Sequence, residues 1–404
     1  MNRRHVAMLL LLALCSSCRL PASDPPRPPT PGGPAAATPS TAASGGWRYV
    51  HVGDGGRLWD VVATAPDDIW AVGAKGDAAV LVHYDGRAWR PAELPPDLGA
   101  VERQEDLLLG ASGRGELWLF RPGLGTRVHH WDGTRWDELR AYPGEASDAQ
   151  VFAPDDIWLL AAGRRAGHWD GTRWRTFALP VSGAALAARG PDDMWVVGHR
   201  RPDPAREEFT QPAAAHWDGR AWRPVATPAY RFPDPAPPEE SAFFETAAAG
   251  PGRQAWAAGQ HTFNGGEGGP DPAVPPPVVT HWNGSAWTAV TVPTQMVCCV
   301  LLAPDGTGGA LLASTARGVD NTWRLTAAGT PTRLPKARLP ASTEPGESPW
   351  AVGDIMGMTH VPGTRLVIAV GALHRADGST WGAVAEFRAP EQPSPVPTAA
   401  GNRR

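Results

Sequence analysis

The residues of this 404-residue chain whose pattern most suggests acid–base or metal chemistry are five copies of one short string. The copies are His83-Tyr84-Asp85-Gly86, His130-Trp131-Asp132-Gly133, His168-Trp169-Asp170-Gly171, His216-Trp217-Asp218-Gly219 and His281-Trp282-Asn283-Gly284. Five imidazoles and four carboxylates at this spacing could serve as general acid and base, or converge on a metal ion. The neighbouring residues argue for a structural use. Asp-Gly is the strongest short hairpin signal, because Gly tolerates positive φ and the Asp side chain accepts hydrogen bonds from amides of its own turn. A Trp follows each Gly by three residues, at Trp89, Trp136, Trp174, Trp222 and Trp287. With one copy per hairpin, the copies cannot share an ion. The expectation is a capped turn, a Gly at positive φ and a Trp packed between units, with no metal and no cofactor.

The other candidates are thinner. Residues 265–271 (GGEGGPD) hold two acids without the regular spacing of a calcium loop, and read as a flexible linker. Cys298 and Cys299 are adjacent on an expected inner strand, where successive side chains face opposite ways, so two small buried hydrophobes are preferred over a strained vicinal disulfide. Asn283-Gly284-Ser285 matches a glycosylation sequon, yet it is the Asp-Gly turn with Asn substituted. No nucleophile elbow, phosphate loop or metal-spaced His/Cys cluster is present.

The elements around the motif explain its spacing. In residues 147–180, a short apolar run is followed by Ala153-Pro154-Asp155-Asp156, which is turn chemistry. A second apolar run from Ile157 to Ala161 is too short for a helix. His168 and Trp169 open a third strand, and Trp174 a fourth. Four short antiparallel strands in about 35 to 50 residues, repeated, are the signature of a propeller blade, which must stack on its neighbours to bury both faces. The second-strand Trp recurs as Trp70, Trp118, Trp158, Trp195 and Trp256. The copies mark five blades at residues 58–95, 101–142, 146–180, 184–228 and 241–293, with eroded copies over 296–334 and 354–388. The last has three strands, while Trp47-Arg48-Tyr49-Val50 matches Trp89-Arg90-Pro91-Ala92 with no blade in front of it. The expected fold is an all-β, seven-bladed β-propeller closed by its N-terminal strand, with six or eight blades as alternatives.

The motif resembles bacterial secreted and lipoprotein propellers with DDVWAVG…HWDGTxW repeats, and is similar to the Asp-box of sialidase-type propellers within an Asp-box or kelch-like superfamily. The upstream Ser/Thr of a full Asp-box is absent, and the GH dipeptide of WD40 repeats is missing. The resemblance covers residues 47–390 and implies a fold far more than an activity. Sialidase-like chemistry would require an arginine triad, a Tyr/Glu pair and an acid. Only Tyr49, Tyr84, Tyr142 and Tyr230 exist, none with an obvious carboxylate partner, so no catalytic residue is assigned.

The ends point outside the cytoplasm. Residues 1–17 read as a signal, with Arg3 and Arg4 before an apolar core too short to span a bilayer. The core ends in Leu14-Cys15-Ser16-Ser17-Cys18, which resembles a lipoprotein cleavage box with Cys18 as the lipidated residue; ordinary secretion is the alternative. Residues 18–46 read as a Pro/Ala/Ser/Thr-rich tether, 47–390 as the propeller and 391–404 as a polar tail. The formal net charge is −4, and no basic face argues for nucleic acid. The expectation is a monomer in the bacterial cell envelope, held to the membrane by its lipid alone.

Function is expected where copy lengths diverge. The APDD and DG turns are short in every well-preserved copy, whereas residues 199–212, 229–240 and 260–277 are insertions in or between blades four and five. All three open on the opposite face. The expected binding residues there are Arg200, Arg201, Arg206, Glu207, Glu208, Tyr230, Arg231, Phe232, His261 and Phe263. Neutral insertion into Pro/Gly-rich loops is the competing explanation. The reading is a binding module for a protein or glycan partner. The alternative is a carbohydrate-active hydrolase or lyase at the channel mouth, which would need acids and Arg side chains converging there.

Overall fold

The structure is a computed structural model that describes residues 45–53, 56–101, 107–162, 164–202, 209–232, 239–263, 276–296, 300–314, 318–335, 337, 350–375 and 377–390. The signal, Cys18, residues 203–208 with Arg206, Glu207 and Glu208, the 265–271 segment and the Cys298–Cys299 pair lie outside the described residues.

Four-residue turns and short apolar runs fold here as up-and-down meanders. Blade one is Arg57–Ala65, Asp68–Lys75, Ala78–Tyr84 and Trp89–Pro91; blade two is Leu108–Gly110, Leu117–Arg121, Thr126–Trp131 and Trp136–Tyr142. Blade three is Ala146–Ala153, Asp156–Ala161, Arg165–Trp169 and Trp174–Ala178; blade four is Ser182–Gly190, Asp193–Arg200, Gln211–Trp217 and Trp222–Val225. Blade five is Ser241–Ala249, Ala255–Thr262, Val278–Trp282 and Trp287–Val290; blade six is Val300–Pro304, Ala310–Ser314, Gly318–Leu325 and Pro331–Arg333. Blade seven is Trp350–His360, Leu366–Arg375 and Thr380–Arg388, with Arg48–Val52 hydrogen-bonded to Thr380–Arg388 as its outer strand. The fold is a seven-bladed β-propeller. The N-terminal strand completes the last blade, as the unmatched Trp47 string predicts.

Seven apolar cores fill the seven gaps between adjacent blades. The first links blades one and two through Trp70, Val72, Leu109 and Leu117, and the last links seven and one through Leu58, Val61, Val370 and Val384. Trp47 packs into the core between blades six and seven, its ring 5.7 Å from that of Phe387. No blade is left with an unburied face, which is how a stack of sheets becomes stable.

The second-strand motif carries a further constraint. In blades one, four, five and seven the inner strand has a bulge, with Trp59, Ala184, Glu245 and Met356 as the extra residues. Opposite each bulge stands a Gly: Gly73, Gly198, Gly259 and Gly371. A Cβ on any of them would run into a backbone carbonyl of the inner strand, at Arg57, Ser182, Phe243 or Asp354. The final Gly of the DDIWAVG string is therefore required by strand approach. Blade three has the same bulge, at Ser147, with Ala161 opposite it in place of the Gly.

Candidate binding surface

The acids of the HxDG hairpins are engaged in their own turns. Asp85, Asp132, Asp170 and Asp218 each accept two amide hydrogen bonds from their own turn through Oδ1, and Asn283 does the same. These bonds, with side-chain bonds from Thr134, Thr172 or Arg223, hold the carboxyls of Asp132, Asp170 and Asp218 below the usual range. Gly86, Gly133, Gly171, Gly219 and Gly284 have φ between 82° and 98°. A Cβ on Gly86, Gly171 or Gly219 would strike Asp67, Asp155 or Asp192, so the DG turn sits on the first Asp of the DD pair. The Trp of the hairpin reaches back across the gap: Trp136 Nε1 donates to the Glu93 carbonyl at 3.0 Å and Trp174 Nε1 to the Arg140 carbonyl at 2.7 Å.

The His has a role that reading one copy at a time does not reveal. It stacks on the second-strand Trp in four copies, with ring centroids 3.7 Å apart for Trp70 and His83, and packs against it at a 45° tilt and 4.6 Å for Trp195 and His216. Its Nε2 meets the second Asp of the DD turn at 2.7 Å for His83–Asp68, 2.8 Å for His168–Asp156 and 2.7 Å for His216–Asp193. Asp68 is buried, which pushes its pKa up, but bonds from His83, Thr64 and the Gly115 amide outweigh that and lower it. In blades two and five, Glu116 and Gln254 replace this Asp, and the Nε2 atoms of His130 and His281 are buried without a partner among the described residues. Burial lowers the pKa of both. The signal was present: DD and HxDG occur together in blades one, three and four.

The inner strands of all seven blades enclose a central channel of about 960 Å³. Its described lining is mostly Ala, Val, Leu, Gly and backbone, with Asp60, Glu145, Asp148 and Glu245 and no Arg, Lys, His or Tyr. Two of these acids tie blades together. Asp60 accepts from the Val61 amide at 2.8 Å and from the Leu109 amide of blade two at 2.8 Å. Asp148 accepts from the Ala149 amide at 2.7 Å and from the Leu186 amide of blade four at 2.7 Å. Both are surrounded by protein and only partly open to the channel. Desolvation outweighs the amide bonds and raises Asp60 to about 6 and Asp148 to about 7. The convergence of acids with Arg side chains that glycoside chemistry would require is not assembled among the described residues.

On the face opposite the hairpins, the described parts of the three insertions are locked together. The Gln211 amide clamps the Tyr230 backbone, with Nε2 donating to the Tyr230 carbonyl at 3.2 Å and Oε1 accepting from its N–H at 2.8 Å. Tyr230 Oη lies 2.9 Å from His261 Nδ1, joining the loop between blades four and five to the second strand of blade five. The Ala242 amide donates to the Thr210 carbonyl at 3.2 Å, and Thr210 Oγ1 donates to the Ala242 carbonyl at 3.1 Å. Phe232 is the hub of an aromatic strip, 5.1 Å from Tyr230, 5.0 Å from His261 and 5.7 Å from Phe209; Phe263 lies 5.4 Å from His261. His261 is buried and its Nε2 has no partner among the described residues; burial lowers its pKa, with Glu240 opposing. Arg200, Arg201 and Arg231 are exposed beside this strip. The structure thus brings Tyr230, Phe232, His261 and Phe263 into one cluster. Phe209, Thr210 and Gln211, which hold the cluster in place, are absent from the sequence-based set because nothing local marks a polar side chain as a clamp.

No protein-family model matches the chain, and no curated protein matches it either. Solved structures do. YCF48 from Cyanidioschyzon merolae is similar over 85% of this chain and 99% of its own, at 14% identity and a TM-score of 0.50. The WD40 β-propeller domain of Doa1 is similar over 84% and 97%, at 11% identity and a TM-score of 0.51. At these identities the likeness shows the propeller fold alone.

Proposed function

We propose that this protein is a binding module, a lipid-anchored extracytoplasmic propeller that engages a protein or glycan through the blade-four and blade-five loops without catalysing a reaction. The observation that carries the reading is the Gln211–Tyr230–His261 lock. It fixes segments from three insertions into one preorganised surface, where neutral insertions would have no reason to interlock. The channel supports the same reading, since two of its acids, Asp60 and Asp148, are engaged by backbone amides and act as ties between blades. Lipidation at Cys18, the tether and the absence of nucleic-acid contacts belong to the proposal and follow from the sequence.

The test is a pull-down from cell-envelope extract with the full chain, comparing wild type with Arg200→Ser/Arg201→Ser/Phe232→Ala. Loss of specific partners in the variant, at unchanged melting temperature, is expected. Retention of the same partners in the same amounts would remove this surface from the account.

A further inference from the structure

The loop face combines two features that together select a ligand chemistry. One is the aromatic strip of Phe209, Tyr230, Phe232 and Phe263, all half-buried, so that part of each ring remains accessible. The other is a set of three guanidinium groups. Arg200 pairs across the sheet with Gln211, whose side chain clamps Tyr230, the neighbour of Arg231. Arg201 lies close enough to His199 to lower its pKa, second to burial. None of the three arginines forms an ion pair with an acid among the described residues, whereas the hairpin arginines are neutralised locally, as in Arg175–Asp170 and Arg223–Asp218, both at 2.9 Å.

We propose that this face takes an acidic polysaccharide, with the sugar rings on the aromatic strip and their carboxylate or sulfate groups on Arg200, Arg201 and Arg231. The proposal rests on the reading of this face as the binding surface and names its ligand class. A planar guanidinium matches an oxyanion bidentately, and aromatic faces pack against the apolar face of a pyranose. An exposed guanidinium–anion pair contributes only about 0–1 kcal/mol, so one charge would not hold a ligand. A polymer with an anion on each repeat can engage several guanidinium groups at once. Aromatic residues and Arg are enriched at protein interfaces as well, so a protein partner is the outcome the polymer test must separate from a polysaccharide. General attraction of polyanions is disfavoured, since the chain carries a net charge of −4.

The test uses the full chain on immobilised polygalacturonate, alginate, hyaluronate and chondroitin sulfate, with fully methyl-esterified polygalacturonate as the neutral control. The expected result is retention on at least one anionic polymer, lost at high salt. Binding should fall at least tenfold for Arg200→Ser/Arg201→Ser/Arg231→Ser, and likewise for Phe232→Ala, with melting temperatures recorded for each. For polygalacturonate the methyl ester should fail to bind. Carboxylate and sulfate polymers separate the two sources of charge. Binding that survives Phe232→Ala, or that is equal for acid and ester, would overturn the proposal. Retention of none of the four polymers, with loop-dependent partners still captured from envelope extract, would overturn it while leaving the binding-module reading intact.

Discussion

A carboxylate that lines an aqueous channel and takes two amide hydrogen bonds would ordinarily be more acidic than a free one, yet Asp60 and Asp148 go the other way because the surrounding ring desolvates them. The sign for stability follows. The folded pKa values, about 6 and about 7, lie above the unfolded carboxylate value of roughly 4, so the folded state binds more protons between those limits. Their contribution is fully present below about pH 4 and is lost as pH rises toward 7. The half-buried His130 and the buried His281, lowered by desolvation, act oppositely and cost stability as pH falls below about 6.5. A variant isolates the acid term. Asp148→Asn, followed by denaturant unfolding across pH 4 to 8, should remove part of the decline toward neutral pH. It should also cost about 1 kcal/mol throughout, because an amide nitrogen cannot accept from the Leu186 N–H. An unchanged pH slope would show that Asp148 does not titrate in this range. A second residue-scale prediction concerns the bulge glycines. Gly198→Ala forces a methyl into the Ser182 carbonyl and should destabilise by about 2–3 kcal/mol in the same assay.

The elements were legible where their signal is local. Asp-Gly turns, APDD turns and the spacing of Trp fix the strands of blades one to five, and the unmatched Trp47 string foretells the closure of blade seven. Legibility fades where partners come from elsewhere in the chain. The Trp–His–Asp stack needs residues from two strands, the Gly73 family needs the carbonyl of a third, and the Gln211 clamp joins residues 19 apart. A sequence pattern records each partner but not their meeting. Blade six shows the same limit: the expected inner strand starts at Met296, the observed one at Val300, with 297–299 outside the described residues. At this scale the closure itself is testable. Trp47 is buried between blades six and seven, so Trp47→Ala should cost about 3–5 kcal/mol in urea unfolding. A loss below 1 kcal/mol would mean that the N-terminal strand is dispensable for the ring.

For the whole molecule, the two faces of the ring divide the work. The conserved-length turns of the repeat, with their capped Asp residues and interlocked Trp side chains, build the hairpin face. The first strand begins beside Glu386 and the third strand of blade seven ends at Arg388, both at that same face. Cys18→Ala should release the protein from membranes in fractionation; a variant that stays membrane-bound would argue against lipid anchoring. The central claim is that the loop face of blades four and five, and not the hairpin motif, meets the partner. Its most direct measurement is hydroxyl-radical footprinting of the full chain, with and without the partner captured from envelope extract. The account predicts protection of Tyr230, Phe232 and Phe263 with Trp89, Trp136 and Trp174 unchanged. Protection of those hairpin tryptophans, with the loop aromatics unchanged, would contradict it.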